Sequence, residues 1–287
     1  HTMAPQLAST AVDSLMFDDR EACRIGVTAV GGFAKTREGA AVLLATGTSA
    51  LLGALAANVQ HTATSRVALE SLCVMLRSLR QSGPEALGSL LEKNTQSDPR
   101  PLVWKLATCL LPPVASQQPS DVARHATVAL ALVLEFPVMV STVLSMGKLS
   151  DIVLGLSSVV SAHCSAAAVA PGKSKGSSSK VHVQHQPPPE YWHSASLAIC
   201  RIVETNEGLA NMLKMPSIDT VVDALASLLG ADDAPVDLSR RVAGALVLLA
   251  RDKQGRERVR GARGAFYSQS PKAMDQPLSE SFLTPLI

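Results

Sequence analysis

The sequence predicts an all-α fold made of stacked helical units, and three observations predict it. The chain has 287 residues, 47% of them hydrophobic, yet aromatic residues make up only 3%. A core with so few rings is built from Leu, Val, Ala, Met and Ile, which suits close helix–helix packing better than a β-sandwich. Apolar residues recur at helical spacing along most of the chain. One signature also repeats: Leu51-Leu52…Leu55, Leu149…Ile152-Val153…Leu156 and Ile218…Val221-Val222…Leu225. Gly47 and Gly147 stand just before two of these segments. A unit of this kind cannot bury its apolar face alone, so neighbouring units stack into a solenoid.

From the N-terminus, His1-Thr2 before Met3 reads as a cloning remnant, and residues 1–14 as a flexible lead with no secretory pattern. Ala22, Ile25, Ala29, Val30 and Phe33 recur at helical spacing and predict a helix over 20–35. Thr36 caps a short helix over 37–45, and Gly47 breaks before a helix over 48–59. Val67, Leu69, Leu72, Met75 and Leu76 predict a helix over 65–79. Ser82-Gly83-Pro84 stops it, and Pro84 opens a further helix to residue 93.

After a polar loop over 94–100, a helix over 102–111 ends at Pro112-Pro113. The apolar run from Ala126 to Met146 is as long as a membrane span, but Glu135 and Pro137 interrupt it and no aromatic belt frames it. Two buried helices, 121–134 and 138–146, meeting near Phe136-Pro137 are expected instead of an integral span. A helix over 149–162 follows. Residues 165–190 hold a Gly/Ser/Lys run and Pro187-Pro188-Pro189, too little apolar surface to order themselves, so a disordered insertion is expected there. Helices over 191–204, 209–215, 217–229, 238–252 and 255–260 complete the array. The repeat domain thus spans 15–263, and the Ser/Pro-rich stretch 264–287 is expected to be a flexible tail.

Superposed, the segments share a frame. Ala34, Val203 and Ala250 each stand five residues before a Gly (Gly39, Gly208, Gly255), and Val30, Ile199 and Leu246 stand nine before it. Ser217 to Ala250 reads as a helix, the acidic turn Asp232-Asp233 and a longer helix. This resembles the second and third helices of an armadillo repeat, and Thr48 to Leu76 fits the same template. The resemblance covers about residues 15 to 263 in about five degenerate repeats, with the insertion between the second and third helices of one. It implies a right-handed α-solenoid with a concave surface.

Peptide-binding armadillo arrays carry an Asn near the end of each third helix, whose amide both donates to and accepts from an extended peptide. The matching positions here are Gly32, Val74, Leu132, Arg201 and Leu248, and none is Asn. The companion Trp positions hold Thr28, Glu70, Val128, Leu197 and Gly244. The departure argues against recognition of an extended basic peptide and favours a helix-in-groove or domain-face mode. What the resemblance implies is a non-enzymatic cytoplasmic scaffold that binds a protein partner on its concave face, in a cytoskeletal, ciliary or trafficking assembly. The alternative is a co-chaperone, similar to myosin chaperones or chaperone exchange factors.

No residue set points to catalysis or a cofactor: GxSxG, HExxH, kinase and paired-carboxylate patterns are absent from the sequence. The Lys/Gly/Ser run at 172–180 lacks the spacing of a phosphate loop. His182, His185, His193 and Cys200 invite a zinc reading, but tight paired spacing is lacking and Cys200 sits on an apolar helix face. The five Cys, at 23, 73, 109, 164 and 200, contain no CxxC pair and read as reduced, mostly buried thiols. Net charge is only +2, so no global field demands nucleic acid or membrane.

The best local charge signal is C-terminal. Arg201, at a ladder position, joins Arg240, Arg241, Arg251, Arg256, Arg258 and Arg260 as candidate partner-binding residues. They suit an acidic surface, a helical segment or a peripheral anionic membrane. Nucleic acid fits least, because no aromatics interleave for base stacking. In the tail, Ser270-Pro271 and Thr284-Pro285 are candidate phosphorylation sites, and Phe282, Leu283, Leu286 and Ile287 a candidate docking end.

Overall fold

Five long helices, α2 (Arg20–Ala34), α4 (Ser65–Ser82), α6 (Asp121–Val133), α9 (Pro189–Val203) and α12 (Val236–Arg251), form the spine of the protein. Each packs on the next, so they stack as the third helices of successive repeats. The computed structural model describes residues 3–15, 19–45, 55, 58, 64–82, 100–110, 121–168, 189–231 and 234–269. No strand occurs among them.

A second layer is formed by α1 (Met3–Ser14), α5 (Arg100–Leu110), α8 (Leu149–Ala168) and α11 (Ile218–Leu229), each packed on the third helix that follows it. The recurring apolar pair explains this layer. Leu149, Ile152, Val153 and Leu156 on α8 and Ile218, Val221, Val222 and Leu225 on α11 are all buried, and the two helices pack together. Each such side chain contributes about 1.5–3 kcal/mol of burial relative to exposure. Short first helices complete the units: α3 (Arg37–Ala45), α7 (Pro137–Ser145) and α10 (Asn206–Leu213), with α13 (Lys253–Gln269) in the same place after α12. The result is the expected all-α solenoid.

The shared glycine frame marks the sharp turn from third to first helix. Thr36 Oγ1 accepts from Gly39 N at 3.0 Å, Thr205 Oγ1 from Gly208 N at 3.1 Å, and Asp252 Oδ1 from Gln254 N at 2.8 Å. These caps satisfy donors that a helix start leaves open. A Cβ at Gly39, Gly208 or Gly255 would collide with the carbonyl oxygen of Phe33, Ile202 or Leu249. At the α7–α8 turn the requirement is different: Gly147 adopts φ +65°, a left-handed conformation that favours glycine.

The Phe136-Pro137 break falls where expected. Phe136 is extended, Pro137 opens α7, and the Ala126–Met146 run is divided between α6 and α7. No single helix among the described residues is long and apolar enough to cross a membrane.

Several boundaries are corrected. Residues 1–14, expected to be flexible, include α1, whose Ala8, Ala11 and Val12 are buried in the core. Small side chains suffice here because α1 lies close on α2: a Cβ on Gly26 would stand 2.9 Å from Ser14 Cβ. Helix α8 runs to Ala168, past the expected start of the insertion, and α13 runs from Lys253 to Gln269, well beyond 255–260 and into the expected tail. Helix α10 starts at Asn206, three residues early, because Thr205 supplies its cap. The insertion between 169 and 188, the helices expected at 48–59 (apart from Leu55 and Asn58) and 84–93, and the tail beyond 269 lie outside the described residues.

Candidate functional site

The stacked third helices present one continuous face, and two positions per helix run along its centre. The ladder positions are Gly32, Val74, Leu132, Arg201 and Leu248, and the shelf positions four residues earlier are Thr28, Glu70, Val128, Leu197 and Gly244. Val128 and Leu132 are buried and floor the middle, Val74 and Leu197 are half-buried on the helices to either side, and Leu248 is half-buried on α12 beyond α9. At the two ends Gly32 and Gly244 are exposed, and a Cβ on either would meet nothing within 4 Å. The strip is therefore apolar over Val128 and Leu132, carries the half-buried charges Glu70 and Arg201 on the helices to either side, and is open at its ends. Nothing in it reproduces a row of amides.

Charged rims flank this strip. Near the N-terminal ends of the helices the same pair occurs three times: Arg24 Nε to Glu21 Oε2 at 3.0 Å, Arg124 to Asp121 at 3.1 Å and Arg240 to Asp237 at 3.7 Å. Each acid stands seven and each Arg four residues before its shelf position, a spacing that is visible in the sequence once the frame is set. Between helices, Arg66 reaches Glu70 at 2.9 Å and Asp121 at 3.8 Å, and His125 Nε2 lies 3.6 Å from Glu70 and 3.1 Å from the Tyr191 hydroxyl. The Arg24 hydrogen bond holds the Glu21 carboxyl below its usual range, and burial raises the Tyr191 phenol.

The opposite rim holds Arg80 with Glu135 at 3.0 Å, and Glu204 between Arg201 at 3.1 Å and Arg241 at 3.5 Å. An apolar strip between mixed-charge rims can seat the apolar stripe of a helix and pair its flanking charges.

The seven candidate arginines differ in their partners. Arg201 and Arg241 share Glu204, Arg258 pairs with Asp219 on α11 at 3.0 Å, and Arg240 pairs with Asp237. Arg256 donates to the carbonyls of Ala250 at 3.1 Å and Arg251 at 3.4 Å, satisfying the open end of α12. Among the described residues, neither Arg251 nor Arg260 has a carboxylate within ion-pair distance. Arg240 and Arg251 also lie about 16 Å apart along their helix. Sequence density does not reveal these pairings, because partners such as Asp219 lie far away in the chain.

Three of the thiols, Cys73, Cys109 and Cys200, sit in desolvated surroundings. Burial pushes Cys73 and Cys200 up to about 12 and Cys109 up to about 11, and all five Cys are free. His193 stacks on Trp192 with ring centroids 4.8 Å apart, and Trp192 stacks on His163 at 4.4 Å. Trp192 is fully buried. His182 and His185 lie outside the described residues, among which no group of three His, Cys, Asp or Glu is placed to hold a metal ion.

No family model matches the chain, and no curated protein does. Solved structures do. A designed armadillo repeat protein is 18% identical, covering 96% of this chain and 94% of that one, with a TM-score of 0.54. A structure described as computationally designed armadillo repeat proteins for modular peptide recognition is 16% identical, with coverages of 96% and 94% and a TM-score of 0.55. At these identities the similarity shows the fold: an armadillo-like α-solenoid.

Proposed function

We propose that this armadillo-like solenoid is a non-enzymatic scaffold that holds an amphipathic helical segment of a partner protein along its third-helix face. Solenoids of this kind expose that face as an extended concave surface. The observation that carries the reading is the strip itself. Val74 and Leu197 flank a floor of Val128 and Leu132, Leu248 extends it on α12, and charged residues, Glu70 and Arg201 among them, stand beside it. An extended peptide needs donors and acceptors for its backbone, whereas a helix satisfies its own and asks for apolar contact and charge pairing. The designed relatives in fold, one described as made for modular peptide recognition, support a binding role in general terms.

Arg201, Arg240, Arg241 and Arg251 would pair with acidic residues flanking the helix stripe. The cellular setting we propose is the cytoplasm, in a cytoskeletal, ciliary or trafficking assembly, on analogy of architecture alone.

The test is a peptide-display selection offering both amphipathic-helical and extended sequences to the full chain. Helical binders that gain helical circular dichroism on binding, and that lose affinity for a Gly244→Trp/Leu248→Glu variant, are expected. Enrichment of extended basic peptides would overturn the reading. Capture of unfolded clients without sequence preference would move it to a co-chaperone.

A further inference from the structure

Among the described residues, the edges of the first and last third helices carry complementary surfaces. One position before the ladder stand Gly31, Cys73, Ala131, Cys200 and Val247. The first four are buried by the next third helix. A Cβ on Gly31 would stand 3.1 Å from Ser71 Oγ and from Val67 Cγ1, and Cys73 Sγ donates to the His125 carbonyl at 3.3 Å. The position thus mates with residues three before and one after the shelf position of the following helix. On α12 the equivalent Val247 is 61% exposed, and Val236 on the same edge is 66% exposed.

The mating surface stands equally bare on the first third helix. One after the shelf position, Ser71, Ala129, Ala198 and Ala245 are all at most 2% exposed. Their equivalent on α2 is Ala29, only partly buried, and beside it, three before the shelf, Ile25 is 57% exposed. Of the seven large apolar side chains exposed among the described residues, five lie in the end units: Leu7, Ile25, Leu229, Val236 and Val247. Three of these, Ile25 on α2 and Val236 and Val247 on α12, lie on the two mating edges themselves. Single exposed apolar residues are ordinary, but matched ones on both edges are not.

Charge follows the same register. Inside the stack, Arg66, four before its shelf position, reaches Asp121, seven before the next, at 3.8 Å. The same two positions at the open ends hold Arg240 on α12 and Glu21 on α2, with side chains 78% and 63% exposed.

We propose that copies of this chain join head to tail, with the α12 edge of one against the α2 edge of the next, continuing the third-helix stack across the joint. Val247 then meets Ile25 and Ala29, and Arg240 meets Glu21. Because the joint uses two different surfaces, each dimer keeps one free edge of each kind and growth continues to a ring or filament.

Sedimentation velocity of the full chain across a concentration series tests this. Mass should rise with concentration, and Val247→Glu and Ile25→Glu, both at exposed sites that leave the melting curve intact, should each be monomeric. Mixing these two variants should give a dimer and nothing larger, because each retains the edge the other lacks. Arg240→Glu should weaken association about tenfold, and adding Glu21→Arg should restore it. A wild-type chain that stays monomeric throughout would overturn the proposal. So would a two-fold dimer that the mixed variants fail to re-form.

Discussion

Gly208 lies directly against the carbonyl oxygen of Ile202, leaving no room for a side chain where α9 turns into α10. Gly39 and Gly255 repeat the relationship with Phe33 and Leu249. Gly208→Ala and Gly255→Ala should each destabilise by about 1–3 kcal/mol, as overpacking does in a fixed backbone. Gly244→Ala, in open space mid-helix, should instead stabilise by about 0.5–1 kcal/mol through helix propensity. Urea midpoints at constant slope decide both.

Tyr191 links α9 to α6 through His125. Tyr191→Phe keeps the ring and its edge contact but removes the hydroxyl, so a loss of about 1 kcal/mol is expected. In a double-mutant cycle with His125→Ala the coupling should be about 0.5–1.5 kcal/mol. Simple additivity would show that the bond contributes nothing in solution.

The buried thiols predict a pH dependence. Burial holds Cys73 and Cys200 at about 12 in the folded state, well above the ordinary thiol range. The unfolded chain releases these protons first as pH rises, so stability should fall between about pH 9 and 12. Denaturant midpoints measured across that window should drop, and a Cys73→Ala/Cys200→Ala variant should show a shallower decline. Alkylation of the native protein near neutral pH should be slow at both positions until the chain unfolds.

Glu204 sits between Arg201 and Arg241 on the surface. Glu204→Gln should change stability by less than about 1 kcal/mol, since exposed pairs contribute little. It should strengthen capture of acidic helical peptides selected on the third-helix face and steepen the salt dependence of that binding.

How much of this was legible beforehand divides along physical lines. The turn glycines and the Ile152-Val153 and Val221-Val222 pairs were readable because close packing and burial leave periodic marks. Helix α1 was missed although Ala8, Ala11, Val12 and Leu15 stand at helical spacing, since its small residues give a weak apolar signal and count only against a close neighbour. The ladder positions were placed by frame alone, and the missing Asn row followed. The pairing of the arginines leaves little trace in sequence because a helix turns neighbours such as Arg240 and Arg241 by 100°, giving one a partner on its own helix and the other a partner at the end of α9. Asp219, 39 residues from Arg258, leaves no local trace.

Trp192 gives the molecule an optical signature of its own. The chain has two Trp, and only Trp192 is sealed from water, with imidazoles stacked on it, whereas Trp104 is 41% exposed. Emission should resolve into a blue component from the α8–α9 interface and a red one from α5, with Trp104→Phe isolating the first. Loosening of the α8–α9 pair would then register as a red shift confined to one fluorophore, reporting locally on a solenoid whose units need not all melt together.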